Sequence, residues 1–194
     1  MTHLADNGLI RSDFTVLWHA GEPLVLPVKF YEETFALIQR FVPDPYRVTH
    51  SFQTNGILLD QHWCEFFRQH RVEVGVSLDG PEFIHDRYRK TRTGTGTFAK
   101  VMKSIDRMKA NSLELSFIAV LTRYACDYPN EIFEFFRDLG ASQLSINVEE
   151  TEGVHTTSSH EGQADAKDKR VTFFQSIHGL NLLDGERMKI REMQ

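Results

Sequence analysis

An α/β sheet or partial barrel of right-handed βαβ units is the fold class predicted for this chain, and three observations predict it. Short runs rich in β-branched and aromatic residues alternate with helical patterns. The connections have the length of parallel crossovers. The strand-like runs end in turns built on Ala20-Gly21, Asn55-Gly56 and Asp79-Gly80-Pro81. Five strands separated by four helices follow from this pattern.

Each element has its own signal. Phe14 to Trp18 reads as a buried strand, and Val28 to Phe41 as a helix with Tyr31, Phe35 and Ile38 on one face. Glu32 and Glu33 are expected near the amino end of that helix, where the macrodipole favours acids, and Pro43 and Pro45 stop it. Arg47 to Gln53 is the second strand, ending in Thr54-Asn55-Gly56. Asp60 caps a short helix that buries Trp63, Phe66 and Phe67. Val72 to Leu78 is the third strand, followed by a charged stretch from Glu82 to Arg92 and the loop Gly94-Thr95-Gly96. Thr97 is the expected cap of a helix carrying Phe98, Val101, Met102, Ile105 and Met108. Leu113 to Leu121 is the fourth strand. Asn130 opens a helix with Ile132, Phe135, Phe136 and Leu139 inward, closed by Gly140, and Gln143 to Val148 is the fifth strand.

Beyond Glu149 the composition turns polar as far as Arg170. A helix begins around Val171, Gly179 and Gly185 weaken the pattern from there on, and no final strand is recognisable. The expected organisation is a core over 1–150, a polar linker or loop over 151–170, and an incomplete helical segment over 171–194.

The totals exclude several classes. A chain of 194 residues with 41% hydrophobic content can bury a core in one domain. A net charge of -5 argues against a nucleic-acid binder driven by phosphate contacts. No apolar run is long enough to span a bilayer and Met1 to Arg11 lacks a signal-peptide core, so no membrane partner and a cytoplasmic location are expected. Cys64 and Cys126 are isolated and read as buried thiols in a reducing compartment.

The stretch Trp18-His19-Ala20-Gly21-Glu22-Pro23-Leu24 organises the chain, because a strand-to-helix loop in a parallel sheet lies where ligands bind. His19 and Glu22 have the spacing of a metal pair, but a structural turn accounts for them as well. Gly21 allows close backbone approach, while Glu22 and Pro23 fix the turn. The turns at Gln53-Thr54-Asn55-Gly56-Ile57-Leu58 and Val76-Ser77-Leu78-Asp79-Gly80-Pro81, with His85, Asp86 and Arg89, and then Gly94-Thr95-Gly96-Thr97-Phe98, come in order at successive strand ends.

This ordered set resembles the radical S-adenosylmethionine superfamily, and within it the SPASM-type group of anaerobic sulfatase maturases and peptide maturases, over residues 14 to 150. The resemblance implies an incomplete parallel (β/α)6 TIM-like barrel lacking its first βα unit, whose strand ends surround S-adenosylmethionine and, in full-length members, a [4Fe-4S] cluster. By motif, the loop Ala20, Gly21, Glu22 and Pro23 would receive the methionine ammonium. Ser77 and Arg89 would hold the carboxylate, and Thr54 and Asn55 would line the same mouth. Those residue types suit the task, since a guanidinium fork, a hydroxyl and loop carbonyls meet a zwitterion. The alternative for Arg89 is a solvated member of the cluster Arg87, Arg89, Lys90 and Arg92. Family members use one electron from the cluster to cleave the cofactor and then take a hydrogen atom from a peptide or protein side chain. The implied partner is therefore a ribosomally made peptide or a protein.

Two departures matter. The family commonly has two glycines before Glu-Pro, whereas this chain has Ala20-Gly21, a change expected to be tolerated if Ala20 keeps negative φ. The family's C-x3-C-x2-C loop is not in this sequence, so no cluster is expected in this chain, and no catalytic or metal-ligating residue is assigned. Two function classes result: a fragment of a radical enzyme, inactive by itself, or a non-catalytic peptide-binding remnant or truncated reading-frame product. The acidic set Glu149, Glu150 and Glu152 is placed either against a basic peptide or in a solvated loop. The Phe14 to Trp18 strand, unpaired on one side, is expected to promote self-association.

Overall fold

The computed structural model describes residue 7 and residues 13–42, 46–150 and 158–193. Pro43, Pro45, Glu152 and the Thr156-Thr157 pair lie outside the described residues. In chain order the elements are β1 (Phe14–Trp18), α1 (Val28–Phe41), β2 (Val48–Thr54), α2 (Gln61–His70), β3 (Glu73–Ser77), α3 (Glu82–Tyr88), α4 (Phe98–Ala110), β4 (Ser116–Leu121), α5 (Pro129–Leu139), β5 (Gln143–Val148), α6 (Ala166–Leu183) and β6 (Lys189–Ile190). The strands form one sheet in the order β1-β2-β3-β4-β5-β6, and every pairing is parallel. The sheet is open, with β1 and β6 at its edges. This is the α/β, incomplete-barrel architecture expected from the alternation.

The two sheet faces differ chemically. One is apolar: Phe52, Val74, Val76, Phe117, Ala119 and Leu144 are all buried. Phe52 packs on Trp63 and Phe67 of α2 and on Tyr31 of α1, with ring centroids 6.2, 5.2 and 4.8 Å away. Burying each such side chain contributes about 1.5–3 kcal/mol, and edge-on ring contacts add to that. The hydroxyl of Tyr31 donates to the carbonyl of Pro23 at 2.8 Å, so this core also holds the loop after β1. The opposite face carries Ser51, Gln53, Gly75, Ser77, Ser116 and Gln143, with Ile118 and Val120 as apolar members among them. A strand covered on both faces would read as a continuous apolar run; alternation of this kind marks a face that looks into open space.

Caps explain most boundaries. Asp60 accepts from the Trp63 amide at 3.0 Å and starts α2, as its position predicts. Gly140, at φ 79°, closes α5 in the left-handed region. Thr97 precedes α4 but makes no side-chain cap there; Asp86 on α3 accepts from the Phe98 amide at 2.8 Å instead. That contact dictates Gly96, because a Cβ at this position would sit 1.9 Å from the Asp86 carboxylate.

Several expectations are corrected. The stretch after Pro81 is not simply charged loop: it forms α3, with Ile84 and His85 buried. Glu32 and Glu33 fall beyond the first turn of α1, where Glu33 pairs with Lys29 at 3.8 Å. β1 is half-buried to exposed, because among the described residues it has one neighbour only, and Leu17 is 43% exposed. α6 starts at Ala166, not Val171, and runs through Gly179. It is tied down by Asp165 accepting from Arg123 at 2.8 Å, by the Lys169–Asp127 pair, and by burial of Phe173 and Ile177. A short final strand does exist: β6 pairs with β5, and Glu192 just beyond it accepts from the Ile146 amide at 2.9 Å.

Candidate functional site

Parallel strands bring their carboxyl ends to one rim, and three loops of that rim contain the expected cofactor-binding residues. Gly21 follows β1, Asn55 follows β2, Ser77 ends β3, and Arg89 caps α3. Because β1, β2 and β3 are consecutive neighbours, these positions share one end of one stretch of sheet.

Glu22 joins the first two loops. Its Oε1 accepts from the Leu24 amide (3.0 Å) and the Thr54 hydroxyl (2.6 Å), and its Oε2 accepts from the Asn55 amide (2.8 Å). Thr54 in turn accepts from the Gly56 amide at 3.0 Å, and Asn55 Oδ1 accepts from the Ile57 amide at 2.9 Å in an Asx turn. Glu22 is therefore a brace between strand ends. Thr54 is only 1% exposed and its hydroxyl is fully engaged, which corrects the expectation that its side chain lines the mouth. Pro23 is buried and starts a short 3-10 turn. What this leaves open to a ligand, among the described residues, is Ala20, Gly21, the side-chain Nδ2 of Asn55 and Ser77.

Ala20 departs from expectation. Its φ is +72° and that of Gly21 is +82°, so both residues adopt left-handed backbone. A Cβ there costs about 1–2 kcal/mol. The two positive angles explain why two glycines suit this turn, and Ala20 keeps the conformation at a cost in strain.

Asp79 holds the second half of the rim. Its Oδ2 accepts from Arg89 Nε at 2.6 Å, and its Oδ1 accepts from Arg89 Nη2 at 2.9 Å and from the Val120 amide at 2.9 Å. The Asp79 amide donates to His85 Nδ1 at 3.3 Å, so the ring hydrogen resides on Nε2 and is donated to Thr97 Oγ1 at 3.0 Å. Thr97 passes its own hydrogen to the carbonyl of Arg89 at 3.1 Å. These bonds close a ring from Asp79 through Arg89, Thr97 and His85 back to Asp79. Burial pushes His85 down to about 4, with Asp79 pulling upward and Arg89 adding to the lowering. A neutral imidazole is what the circuit requires. Arg89 is thus no member of a solvated cluster, although its side chain keeps 27% exposure.

Neither cysteine fits a cluster-binding loop. Cys64 sits inside α2 and Cys126 in a short turn after β4; both are buried, and burial pushes each thiol up to about 11. Among the described residues no group of three His, Cys, Asp or Glu side chains is placed to hold a metal ion, and no helix is long and apolar enough to cross a membrane. The residues at the rim do fit a zwitterionic nucleoside ligand, because they combine a turn of two left-handed residues, an unengaged hydroxyl on Ser77 and a partly free guanidinium.

Other hollows are lined by described residues. A cavity of about 590 Å³ lies on the polar sheet face toward the amino ends, lined by Ser51, Gln53, Ser116, Gln143 and Ser145 with Arg68 and Arg71. Its lining was readable from the strand alternation but carried no motif. A second, of about 440 Å³, lies beyond β5 and includes Glu149, Glu150, His160 and Arg170. Glu149 is engaged there by the Ser159 amide at 2.7 Å and by the hydroxyls of Ser158 and Ser159.

An open parallel sheet with loops braced by acidic side chains at its carboxyl rim defines an α/β domain of the incomplete-barrel class. The family model described as the radical SAM superfamily matches residues 5–136, and the chain belongs to that superfamily. It is 43% identical over 188 residues to an uncharacterized protein, sll1766, from Synechocystis, covering 94% of this chain and 47% of that protein. It is 35% identical over 155 residues to the serine-type anaerobic sulfatase-maturating enzyme of Bacteroides thetaiotaomicron, covering 77% and 37%. Among solved structures it is similar to native anSMEcpe with bound AdoMet and Kp18Cys peptide, at TM-score 0.80 and 23% identity, covering 94% of this chain and 51% of that one. It is also similar to SuiB of Streptococcus suis, at TM-score 0.62 and 12% identity, covering 92% and 38%. The chain thus spans about half or less of the length of these relatives.

Replacing Ala20 by Gly relieves the left-handed strain and is expected to raise unfolding stability by about 1 kcal/mol, read as a higher urea midpoint at unchanged slope. An unchanged or lower midpoint would show that Ala20 is unstrained. A pH dependence arises from two histidines, since burial, and then His70, also push His50 down to about 4. With folded values near 4 and unfolded values of 6.5, the unfolded chain binds more protons between those limits. Stability is therefore full above pH 6.5 and is lost as pH falls toward 4. Urea midpoints that stay flat from pH 7 to about 4.5 would contradict this.

Proposed function

We propose that residues 14–150 form the cofactor-binding part of a radical S-adenosylmethionine enzyme that modifies a peptide or protein side chain by hydrogen-atom abstraction. The observation that carries this reading is the rim, where Glu22 ties the loops after β1 and β2, Asp79 ties the loop after β3 to Arg89 and β4, and polar groups are presented on one side. When bound, S-adenosylmethionine supplies the chemistry that removes the hydrogen atom. This chain's own residues bind and orient. Backbone groups of Ala20 and Gly21 receive the ammonium, the Ser77 hydroxyl and Arg89 guanidinium receive the carboxylate, and Asn55 borders the mouth. Glu22, Pro23 and Thr54 act one step back, holding the loops.

The substrate class is proposed from the similar proteins, whose descriptions name sulfatase maturation and a bound peptide. Two cysteines, both buried, support the further proposal that this chain, expressed by itself, is catalytically inactive. The same observation favours the alternative of a non-catalytic peptide-binding module. The buried free thiols accord with a cytoplasmic setting. Self-association is proposed through β1, an edge strand with unpaired backbone groups and an exposed Leu17.

Anaerobic reconstitution of the purified chain with iron and sulfide tests the inactivity directly. The expected outcome is no [4Fe-4S] absorption and no reductive cleavage of S-adenosylmethionine. A stoichiometric cluster would overturn it. In sedimentation velocity the chain should show dimers or larger species at tens of micromolar, order of magnitude, whereas a clean monomer would remove the proposed edge contact.

A further inference from the structure

Arginine carries five N–H donors in a plane, arranged as a side fork (Nε with one hydrogen of Nη2) and an end fork (one hydrogen each of Nη1 and Nη2). In Arg89 the side fork is occupied. Nε and Nη2 donate to the two oxygens of Asp79 at 2.6 and 2.9 Å. No described residue accepts from Nη1, and 27% of the side chain remains exposed. The end fork is therefore intact and reaches the surface at the rim.

Asp79 is itself immobilised. Its side chain is 7% exposed, its Oδ1 also accepts from the β4 amide of Val120 at 2.9 Å, and its own amide is anchored on buried His85. The backbone of Arg89 is held by the hydroxyl of Thr97. Both ends of Arg89, carbonyl and guanidinium, are thus fixed to the same small ring of residues. A free arginine would sample several rotamers and lose that freedom on gripping a ligand; a guanidinium already clamped on one edge has lost it beforehand.

We propose that Asp79 is a positioning residue, which grips the side fork of Arg89 so that the end fork is aimed at the carboxylate of the bound S-adenosyl ligand. The proposal rests on the reading of the rim as an S-adenosyl site. It places Arg89 between two carboxylates, one from the protein and one from the ligand. Asp79 also compensates the arginine's charge in the ligand-free protein, so that this half-buried cation is not left alone.

The test compares two probes in titration calorimetry on the full chain: S-adenosylhomocysteine, which carries the amino-acid carboxylate, and 5'-methylthioadenosine, which lacks it. Wild type should prefer S-adenosylhomocysteine. Asp79→Asn retains an oxygen for the Val120 amide but turns a donor toward the guanidinium, and it should weaken S-adenosylhomocysteine about tenfold while leaving 5'-methylthioadenosine unchanged. A purely structural role would weaken both probes equally and overturn the proposal, as would no change in either. Where Asp79→Asn fails to fold, Arg89→Lys decides. It keeps a charge for Asp79 but has no second fork, so the preference for S-adenosylhomocysteine should disappear, and its survival would refute the proposal. If wild type binds neither probe, the S-adenosyl reading of the rim fails first and the role of Asp79 falls with it. Binding of both by wild type with no selective loss in the variants overturns the role of Asp79 alone.

Discussion

The carboxylate of Glu22 is the contact on which the first half of the rim depends. A parallel sheet hydrogen-bonds its strands along their length but leaves the loops at their ends without a ladder, so something other than backbone pairing must hold those loops in register. Glu22 does this across β1 and β2 by accepting from Leu24, Thr54 and Asn55. A carboxylate with three donors is among the stronger neutral-pH arrangements available to a side chain. Asp79 repeats the device across β3 and β4, with Arg89 and Val120 as donors. Two acids, each bound to the next strand end, join the rim in two pairs, β1 with β2 and β3 with β4.

Those acids work because the layer beneath them is rigid. Tyr31 packs edge-on against Trp18, Phe52 and Trp63 and places its hydroxyl on the carbonyl of Pro23. The indole of Trp18 donates to His50 Nδ1 at 3.2 Å, and His50 lies flat on Phe35. The aromatic core under β1 and β2 therefore ends in polar handles that reach the loop. Core packing and loop position are one continuous structure, and acid that protonates His50 acts on both.

Much of this was legible in the sequence. α1 and β5 run over the residues their patterns define, and Asp60 caps α2 as its place before an aromatic run implies. What escaped depends on contacts between distant residues. Thr97 resembles a cap, but its hydroxyl is committed to Arg89 and His85, and the capping function passes to Asp86 on another helix. α3 was hidden because its charged residues obscure the buried pair Ile84 and His85. The positive φ of Ala20 has no local marker in an alanine. Thr54 looks like a ligand residue in its motif, yet Glu22 draws its hydroxyl inward. At the candidate site, the motifs mark loops that the sheet brings to one rim, while the bracing roles of Glu22 and Asp79 emerge only from their hydrogen bonds.

The rim and the larger cavity at the amino ends make opposite claims on a ligand. The cavity of about 590 Å³ includes Arg68 and Arg71 in its lining, whereas the rim is built on the braced acids Glu22 and Asp79. Amide chemical shifts of the 15N-labelled chain, followed during addition of S-adenosylhomocysteine, separate the two. The rim account predicts perturbations concentrated at Gly21, Asn55, Ser77 and Arg89. Perturbations centred instead on Ser51, Arg68 and Gln143, with the rim amides unmoved, would contradict it.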